Sequence, residues 1–211
     1  MVKTLRVSPV RNEIEIKRSQ FITTMVRVRD EEGARKAIEG VRKEYSDARH
    51  HCTAFIVRAD GRLPIERSSD DGEPSGTAGA PMLEALRGRE LIDVVAIVSR
   101  YFGGIKLGTG GLVRAYTDSV VEAVKRAKLV RLEERQIWNV GVEHAVAGKV
   151  EAALRGAGWQ ISEVTYGSRL ATMHLPISEN EVKKLEEEVE ALTRGAGQTS
   201  YQATKTVEIP L

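Results

Sequence analysis

The chain has 211 residues, of which 41% are hydrophobic and 29% are charged. This balance excludes an intrinsically disordered or fibrous protein, and the length favours two domains. The longest aliphatic run, residues 94–98, is too short to cross a bilayer, and the single cysteine, Cys52, excludes an intrachain disulfide. The sequence therefore predicts a globular cytoplasmic protein with no membrane segment.

The formal net charge of +2 is unevenly distributed. Residues 1–134 carry 24 Lys/Arg and 20 Asp/Glu, a net charge of +4, whereas residues 135–211 carry 8 and 10, a net charge of −2. The first part is the basic one. An excess of this size does not by itself indicate nucleic-acid binding, because that requires basic groups clustered on one face.

Apolar periodicity predicts the elements of the first part in chain order. They are a hairpin of strands at residues 14–16 and 21–28, an amphipathic helix at 30–45, a strand at 52–57 with a turn at 59–61, a polar surface loop at 68–79, a helix from Pro81, a buried strand at 94–98 and a long helix at 112–127. The predicted order is β-β-α-β-α-β-α.

Charged residues replace the apolar pattern at 131–136, which indicates a linker and separates a domain of residues 1–134 from one of residues 135–211. The second domain is predicted to have strands at 137–142, 159–166, 168–175 and 199–207 and helices at 145–157 and 179–192. This β-α-β-β-α-β order is the ferredoxin-like arrangement. The predicted fold class is therefore α+β.

A glycine-rich segment from Gly103 to Gly111 leads from the buried strand into a helix N-terminus. At such a position backbone N–H groups and the helix dipole attract an anion such as phosphate. The segment matches no established nucleotide motif, and the alternative is that its glycines only make a tight turn. The predicted anion or nucleic-acid site comprises Arg100, Tyr101, Phe102, Gly103, Gly104, Lys106, Gly108, Gly110, Gly111 and Arg114.

The acidic segment before the second helix offers Asp70, Asp71 and Glu73 as oxygen ligands for Mg²⁺ or Ca²⁺. Acids in a turn more often act as caps or stay solvated, so neither a metal nor another cofactor is predicted. Ser75 or Thr77 is expected to cap the helix. The second loop of the same cleft is predicted to comprise Asp70, Asp71, Gly72, Glu73, Pro74, Ser75, Gly76, Thr77 and Gly79.

Two further groups could carry chemistry. His50 and Cys52 share one face of a strand, so a thiolate supported by imidazole is conceivable, but a buried structural cysteine is the commoner case. No catalytic residue is predicted. Alternation places one of Tyr101 and Phe102 in the core and exposes the other, which could stack on a base.

Two segments resemble the hallmark segments of the IMPACT family, in particular of its bacterial YigZ-type members. They are DDGEPSGTAGAPMLEAL at residues 70–86 and VSRYFGGIKLGTGGLVRAY at residues 98–116. The resemblance extends over nearly the whole chain. It implies a first domain with the fold of a ribosomal small-subunit protein domain and of the fourth domain of elongation factor G. The second domain is expected to be similar to the last domain of that factor.

Both likenesses point to RNA or the ribosome, and eukaryotic relatives are linked to regulation of translational initiation through a partner protein. We therefore predict a protein that contacts RNA or the ribosome, that has a role in translation regulation, and that also has a possible protein partner. One alternative is an enzyme acting on a small phosphorylated or anionic ligand, for which the three acids could serve as acid, base or metal ligands. The other is a protein-interaction module.

Overall fold

The computed structural model describes residues 2–59 and 62–211. The chain divides into two compact units, unit 1 with Met1–Leu132 and Ile209–Leu211, and unit 2 with Glu133–Glu208. The elements in chain order are β1 (Lys3–Leu5), β2 (Val10–Ile16), β3 (Ser19–Arg27), α1 (Glu31–Glu44), β4 (His50–Ala59), β5 (Arg62–Ser69), α2 (Gly79–Arg87), β6 (Val94–Tyr101), α3 (Thr109–Arg126), β7 (Leu129–Glu143), α4 (His144–Gly156), β8 (Glu163–Tyr166), β9 (Leu170–Ile177), α5 (Val182–Thr193) and β10 (Gln198–Pro210). The predicted α+β class with two domains is confirmed.

Unit 1 is built on an antiparallel sheet with the order β2-β3-β6-β4-β5. Helix α1 packs on one face, against Phe55 and Ile97, and helices α2 and α3 pack on the other face, against Ala54 and Val98. Strand β6 lies in the middle of the sheet and is buried on both faces, which explains its unbroken aliphatic run. The predicted hairpin, the three helices and this strand are confirmed.

The chain trace departs from the predictions at one strand and at the predicted linker, and one predicted turn is not tested. Strand β5 was missed, because it is an edge strand with mostly exposed residues and little alternation. The predicted turn at residues 59–61 lies largely outside the described residues, which omit Asp60 and Gly61. Residues 131–136, predicted as a linker, form part of strand β7 instead, and the boundary between units 1 and 2, after Leu132, lies within this segment.

In unit 2 strand β7 lies between β10 and β9, and β8 completes the sheet beside β9. Helices α4 and α5 contribute Leu154 and Leu185 to the core that covers Val140 and Met173. The β-α-β-β-α-β order is confirmed, although β8 begins at Glu163, four residues later than expected. Every helix within residues 2–59 and 62–211 is too short or too polar to span a membrane.

Candidate functional site

The candidate site is centred on Arg100, the penultimate residue of β6. In the antiparallel register Arg100 lies between Phe21 of β3 and His50 of β4. Side chains alternate along a strand, and Cys52 and Val98, two residues from His50 and Arg100, belong to the core beneath α2 and α3. The three side chains therefore form a row on the α2/α3 face of the sheet.

Arg100 forms an ion pair inside unit 1. Its Nη1 donates to Oε1 of Glu73 at 2.6 Å, and the hydroxyl of Tyr116 donates to the same oxygen at 2.8 Å. Arg100 is 7% exposed and Glu73 is 9% exposed. Burial raises the pKa of Tyr116, so that side chain stays a neutral donor. Among the described residues the buried Nε of Arg100 has no hydrogen-bond partner.

The guanidinium of Arg100 also stacks on aromatic rings. Its Cζ lies 5.4 Å from the centroid of the Phe21 ring and 5.8 Å from that of the Phe102 ring. These are cation–π distances. Phe102 is 47% exposed. Phe102 therefore contacts the buried side chain of Arg100 and is also accessible from solvent.

Asp70 organises the acidic loop, which we define as residues 70–79. Its Oδ1 accepts from the backbone N–H groups of Ala78 at 3.0 Å and Gly79 at 2.8 Å, and its Oδ2 accepts from that of Gly76 at 2.8 Å. Burial pushes the pKa of Asp70 up, but these three donors outweigh burial, and the net shift is downward. The prediction that Ser75 or Thr77 caps α2 is wrong, because Asp70 binds these N–H groups and the hydroxyl of Thr77 donates to the carbonyl of Pro74.

Asp71 connects three parts of unit 1. It has a left-handed backbone with φ 44°. Its Oδ1 accepts from Nη2 of Arg42 at 2.7 Å, its Oδ2 accepts from the backbone N–H of His51 at 2.6 Å, and its carbonyl oxygen lies 2.8 Å from Nδ1 of His50. All three loop acids are thus engaged by protein groups. No cluster of three or more His, Cys, Asp or Glu suited to a metal ion was found in the described part of the chain.

A cleft of about 440 Å³ opens beside the Arg100 row. Its floor includes the first turn of α3, whose N-cap is Gly108 with φ 75°, and no side chain of the described residues caps this helix end. A helix leaves its first backbone N–H groups without intrahelical partners, so these groups are directed toward a ligand or solvent. The residues that line the cleft are Arg49, His50, Glu73, Pro74, Arg100, Phe102, Lys106, Leu107, Gly108, Thr109 and Leu112.

The glycines of the turn before α3 have different roles. A Cβ on Gly103 would lie 2.0 Å from both the carbonyl carbon and the oxygen of Arg18, so this position admits only glycine without movement of the β2–β3 turn. Gly104 and Gly108 have φ values of 86° and 75°, which side chains rarely adopt. Gly110 has nothing within 4 Å of its added Cβ. The tight-turn alternative therefore applies to Gly103, Gly104 and Gly108.

The structure brings together part of the predicted site. Glu73, Pro74, Arg100, Phe102, Lys106 and Gly108 line the cleft. The predicted residues that do not line it are Asp70, Asp71, Gly72, Ser75, Gly76, Thr77, Gly79, Tyr101, Gly103, Gly104, Gly110, Gly111 and Arg114.

Tyr101 belongs to the opposite face of the sheet, where its hydroxyl donates to Oδ1 of Asp47 at 2.7 Å, and this bond raises the pKa of Tyr101 to about 12. The expectation that Tyr101 or Phe102 is a core residue is wrong, since neither is buried. Strand β6 ends at Tyr101, so its alternation does not extend to Phe102.

Sequence reasoning missed Arg49, Leu107, Thr109 and Leu112 and treated His50 only as a possible partner of Cys52. The sheet order could have identified His50, because the start of β4 pairs with the end of β6. Cys52 itself is fully buried, its thiol donates to the carbonyl of Asp70, and burial raises its pKa to about 12. A thiol with this pKa is not a nucleophile at neutral pH.

Comparison with known proteins places the chain in a family. Residues 17–124 match the Impact N-terminal domain, and residues 140–196 match a domain of unknown function, DUF1949. The chain is 38% identical to the IMPACT family member YvyE of Bacillus subtilis over 184 residues, which is 87% of this chain and 83% of YvyE. It is 42% identical to the IMPACT family member YigZ of Escherichia coli over 147 residues, 70% of this chain and 72% of YigZ.

A solved structure described as that of a hypothetical protein is 33% identical, with a TM-score of 0.59, and covers 96% of this chain and 97% of its own. The domain match at residues 17–124 contains both hallmark segments, and with them the whole acidic loop and the turn before α3. The chain belongs to the IMPACT family.

Proposed function

We propose that the protein binds single-stranded RNA, free or within the ribosome, through the cleft of unit 1 and thereby acts in translation regulation. The observation that carries the proposal is the convergence on one cleft of cationic side chains, an uncapped helix N-terminus and an exposed aromatic ring. Cationic side chains and helix N-termini bind phosphates, and exposed aromatic rings stack on bases.

The phosphate-binding part of the cleft comes from three segments. Arg49 precedes β4, Lys106 lies in the turn before α3, and the backbone N–H groups of Thr109 and its neighbours open the helix. Arg49 and Lys106 are exposed, whereas the charge of Arg100 is balanced by Glu73. We therefore assign the direct phosphate contacts to Arg49, Lys106 and the helix end. The role of Arg100 in this assignment is to hold the ring of Phe102 in place.

The alternative of an enzyme acting on a small anion receives less support from the acidic loop. Asp70, Asp71 and Glu73 were its expected acid, base or metal ligands, and each carboxylate is occupied by hydrogen bonds that hold the loop.

The protein-interaction alternative is tested by affinity capture from lysate with and without nuclease. Partners that disappear on nuclease treatment support RNA binding.

The direct test compares two double variants with equal charge changes. Binding of a short fluorescent oligouridylate is measured by anisotropy at several salt concentrations. Arg49→Ala with Lys106→Ala is expected to weaken binding and to reduce the salt slope by about 0.7 for each phosphate that is no longer neutralised. The matched control is Lys43→Ala with Arg89→Ala, which changes exposed cations of unit 1 outside the cleft. Equal weakening in the two double variants would contradict the assignment.

A further inference from the structure

We infer that His50 is a phosphate-contacting residue of this cleft, that the acidic loop acts to position it, and that RNA binding is therefore coupled to uptake of a proton. The inference rests on the proposed function and deepens it. His50 begins β4, is half-buried, lines the cleft and lies directly opposite Arg100 in the sheet register. It stands next to Arg49, an exposed cation of the cleft.

The hydrogen bond to Asp71 fixes the tautomer of His50. The carbonyl oxygen of Asp71 lies 2.8 Å from Nδ1, and a carbonyl can only accept, so Nδ1 carries a hydrogen. In the neutral ring Nε2 is then an acceptor with a lone pair, which cannot bond to a phosphate oxygen. In the protonated ring Nε2 is a charged donor. A contact between His50 and phosphate through Nε2 thus requires the second proton.

Contacts of the acidic loop fix the position of the Asp71 carbonyl beside the imidazole of His50. The carboxylate of Asp71 is fixed by Arg42 of α1 and by the backbone of β4. The next residue, Gly72, has φ 85° and lies close to the ring, since an added Cβ would be 3.4 Å from Nδ1 and 3.5 Å from Cε1. The left-handed backbone at Asp71 and Gly72 therefore serves to set the carbonyl and the ring in one fixed geometry.

Charged and titratable groups from several elements surround His50. The groups concerned are Arg49 just before β4, His51 on β4, Asp71 and Glu73 on the acidic loop, Arg42 on α1, Arg100 on β6 and Lys106 before α3. Glu73 is paired with Arg100, and Asp71 is paired with Arg42. Burial lowers the pKa of His51, which favours its neutral form. Arg49 and Lys106 remain exposed at the cleft, where a bound phosphate would face both of them.

The test follows affinity against pH with a short oligouridylate that has hydroxyl ends, since its phosphodiesters do not change charge in the range used. Between about pH 8 and about pH 5.5, the interval in which a histidine ordinarily gains a proton, affinity of the unmodified protein is expected to rise about tenfold. His50→Gln is expected to remove this rise. His174→Gln in unit 2 is the matched control and should retain it.

Two further measurements keep the inference separate from the proposed function. His50→Asn retains a donor for the Asp71 carbonyl but has no group at Nε2, so it should fold and also lose the pH dependence. Thermal stabilisation by sulfate, which stays a dianion in this range, is measured for all variants.

RNA binding with an unchanged pH profile in His50→Gln overturns the inference and leaves the proposed function. Absence of RNA binding, together with sulfate stabilisation that depends on pH only while His50 is present, overturns the proposed function and leaves His50 as a proton-dependent anion contact. Absence of both overturns both.

Discussion

The Nη1 atom of Arg100 lies 2.6 Å from Oε1 of Glu73, and this buried pair joins the central strand of unit 1 to the acidic loop. Tyr116 donates to the same oxygen from α3. One carboxylate thus holds a strand, a loop and a helix at the edge of the cleft.

Removal of Glu73 alone should destabilise unit 1 strongly. Glu73→Leu leaves the guanidinium of Arg100 buried without a counter-charge, a change that costs about 3–5 kcal/mol. The double variant Glu73→Leu with Arg100→Met removes both charges and should recover most of this stability. Free energies of unfolding from urea titrations decide the matter. A double variant no more stable than the single one would mean that the pair contributes by more than charge balance.

Gly103 should tolerate no side chain. Its added Cβ would overlap the backbone of Arg18, so Gly103→Ala requires movement of the β2–β3 turn and should cost about 3 kcal/mol. The matched control is Gly110→Ala in the first turn of α3, where the added methyl meets nothing within 4 Å and alanine favours the helix. Thermal unfolding of the two variants measures the difference. Equal melting temperatures would contradict the role given to Gly103.

Much of the fold could be predicted because the long helices and the buried strand have a clear pattern of apolar residues. Helix α1 and strand β6 have patterns that local sequence determines, an amphipathic stripe and an unbroken aliphatic run. The segment 131–136 has neither pattern. Its charged residues indicated a linker, yet they form part of β7, since strand pairing depends on backbone hydrogen bonds to distant residues that a local pattern does not contain.

The two loops of the candidate site were predictable from the sequence, and the pairings of their side chains were not. The glycine turn and the acidic loop were located correctly along the chain, and six of the predicted residues line one cleft. Arg100 was expected to meet phosphate, but its charge is balanced by Glu73, which is 27 residues away in sequence. His50 became a cleft residue through the register of β4 with β6, and Arg49 beside it donates its backbone N–H to the carbonyl of Arg100. Such contacts are properties of the tertiary structure.

The stability contributed by Asp70 should depend on pH. Its folded-state pKa lies below the ordinary value, so its contribution is complete above the unfolded-state pKa of about 3.9 and is lost as pH falls through the folded value. Asp70→Asn has one acceptor oxygen in place of two and should be less stable at neutral pH by about 1 kcal/mol. Urea titrations at several pH values should show this difference shrinking below about pH 4. A stability difference that stays constant below this pH would contradict a lowered pKa of Asp70 in the folded protein.

Phe102 should contribute to binding through its ring. One side of the ring faces the guanidinium of Arg100, and nearly half of the residue is open to solvent. Stacking of one base on an aromatic side chain is worth about 1–3 kcal/mol. Phe102→Ala should therefore weaken oligouridylate binding by at least about fivefold, and it should leave the salt slope unchanged because the groups that bind phosphate stay in place.

Two controls separate stacking from general apolar contact. Phe102→Leu keeps an apolar side chain without a π-face, so it should behave like Phe102→Ala in binding. Tyr166→Ala removes another exposed aromatic side chain, 69% exposed and located in unit 2, and should have no effect if the base lies in the unit 1 cleft. An abasic oligonucleotide of the same length supplies the phosphates alone. It should bind the unmodified protein and Phe102→Ala equally, because only the base contacts the ring, and unequal binding would assign Phe102 to the support of the phosphate site instead.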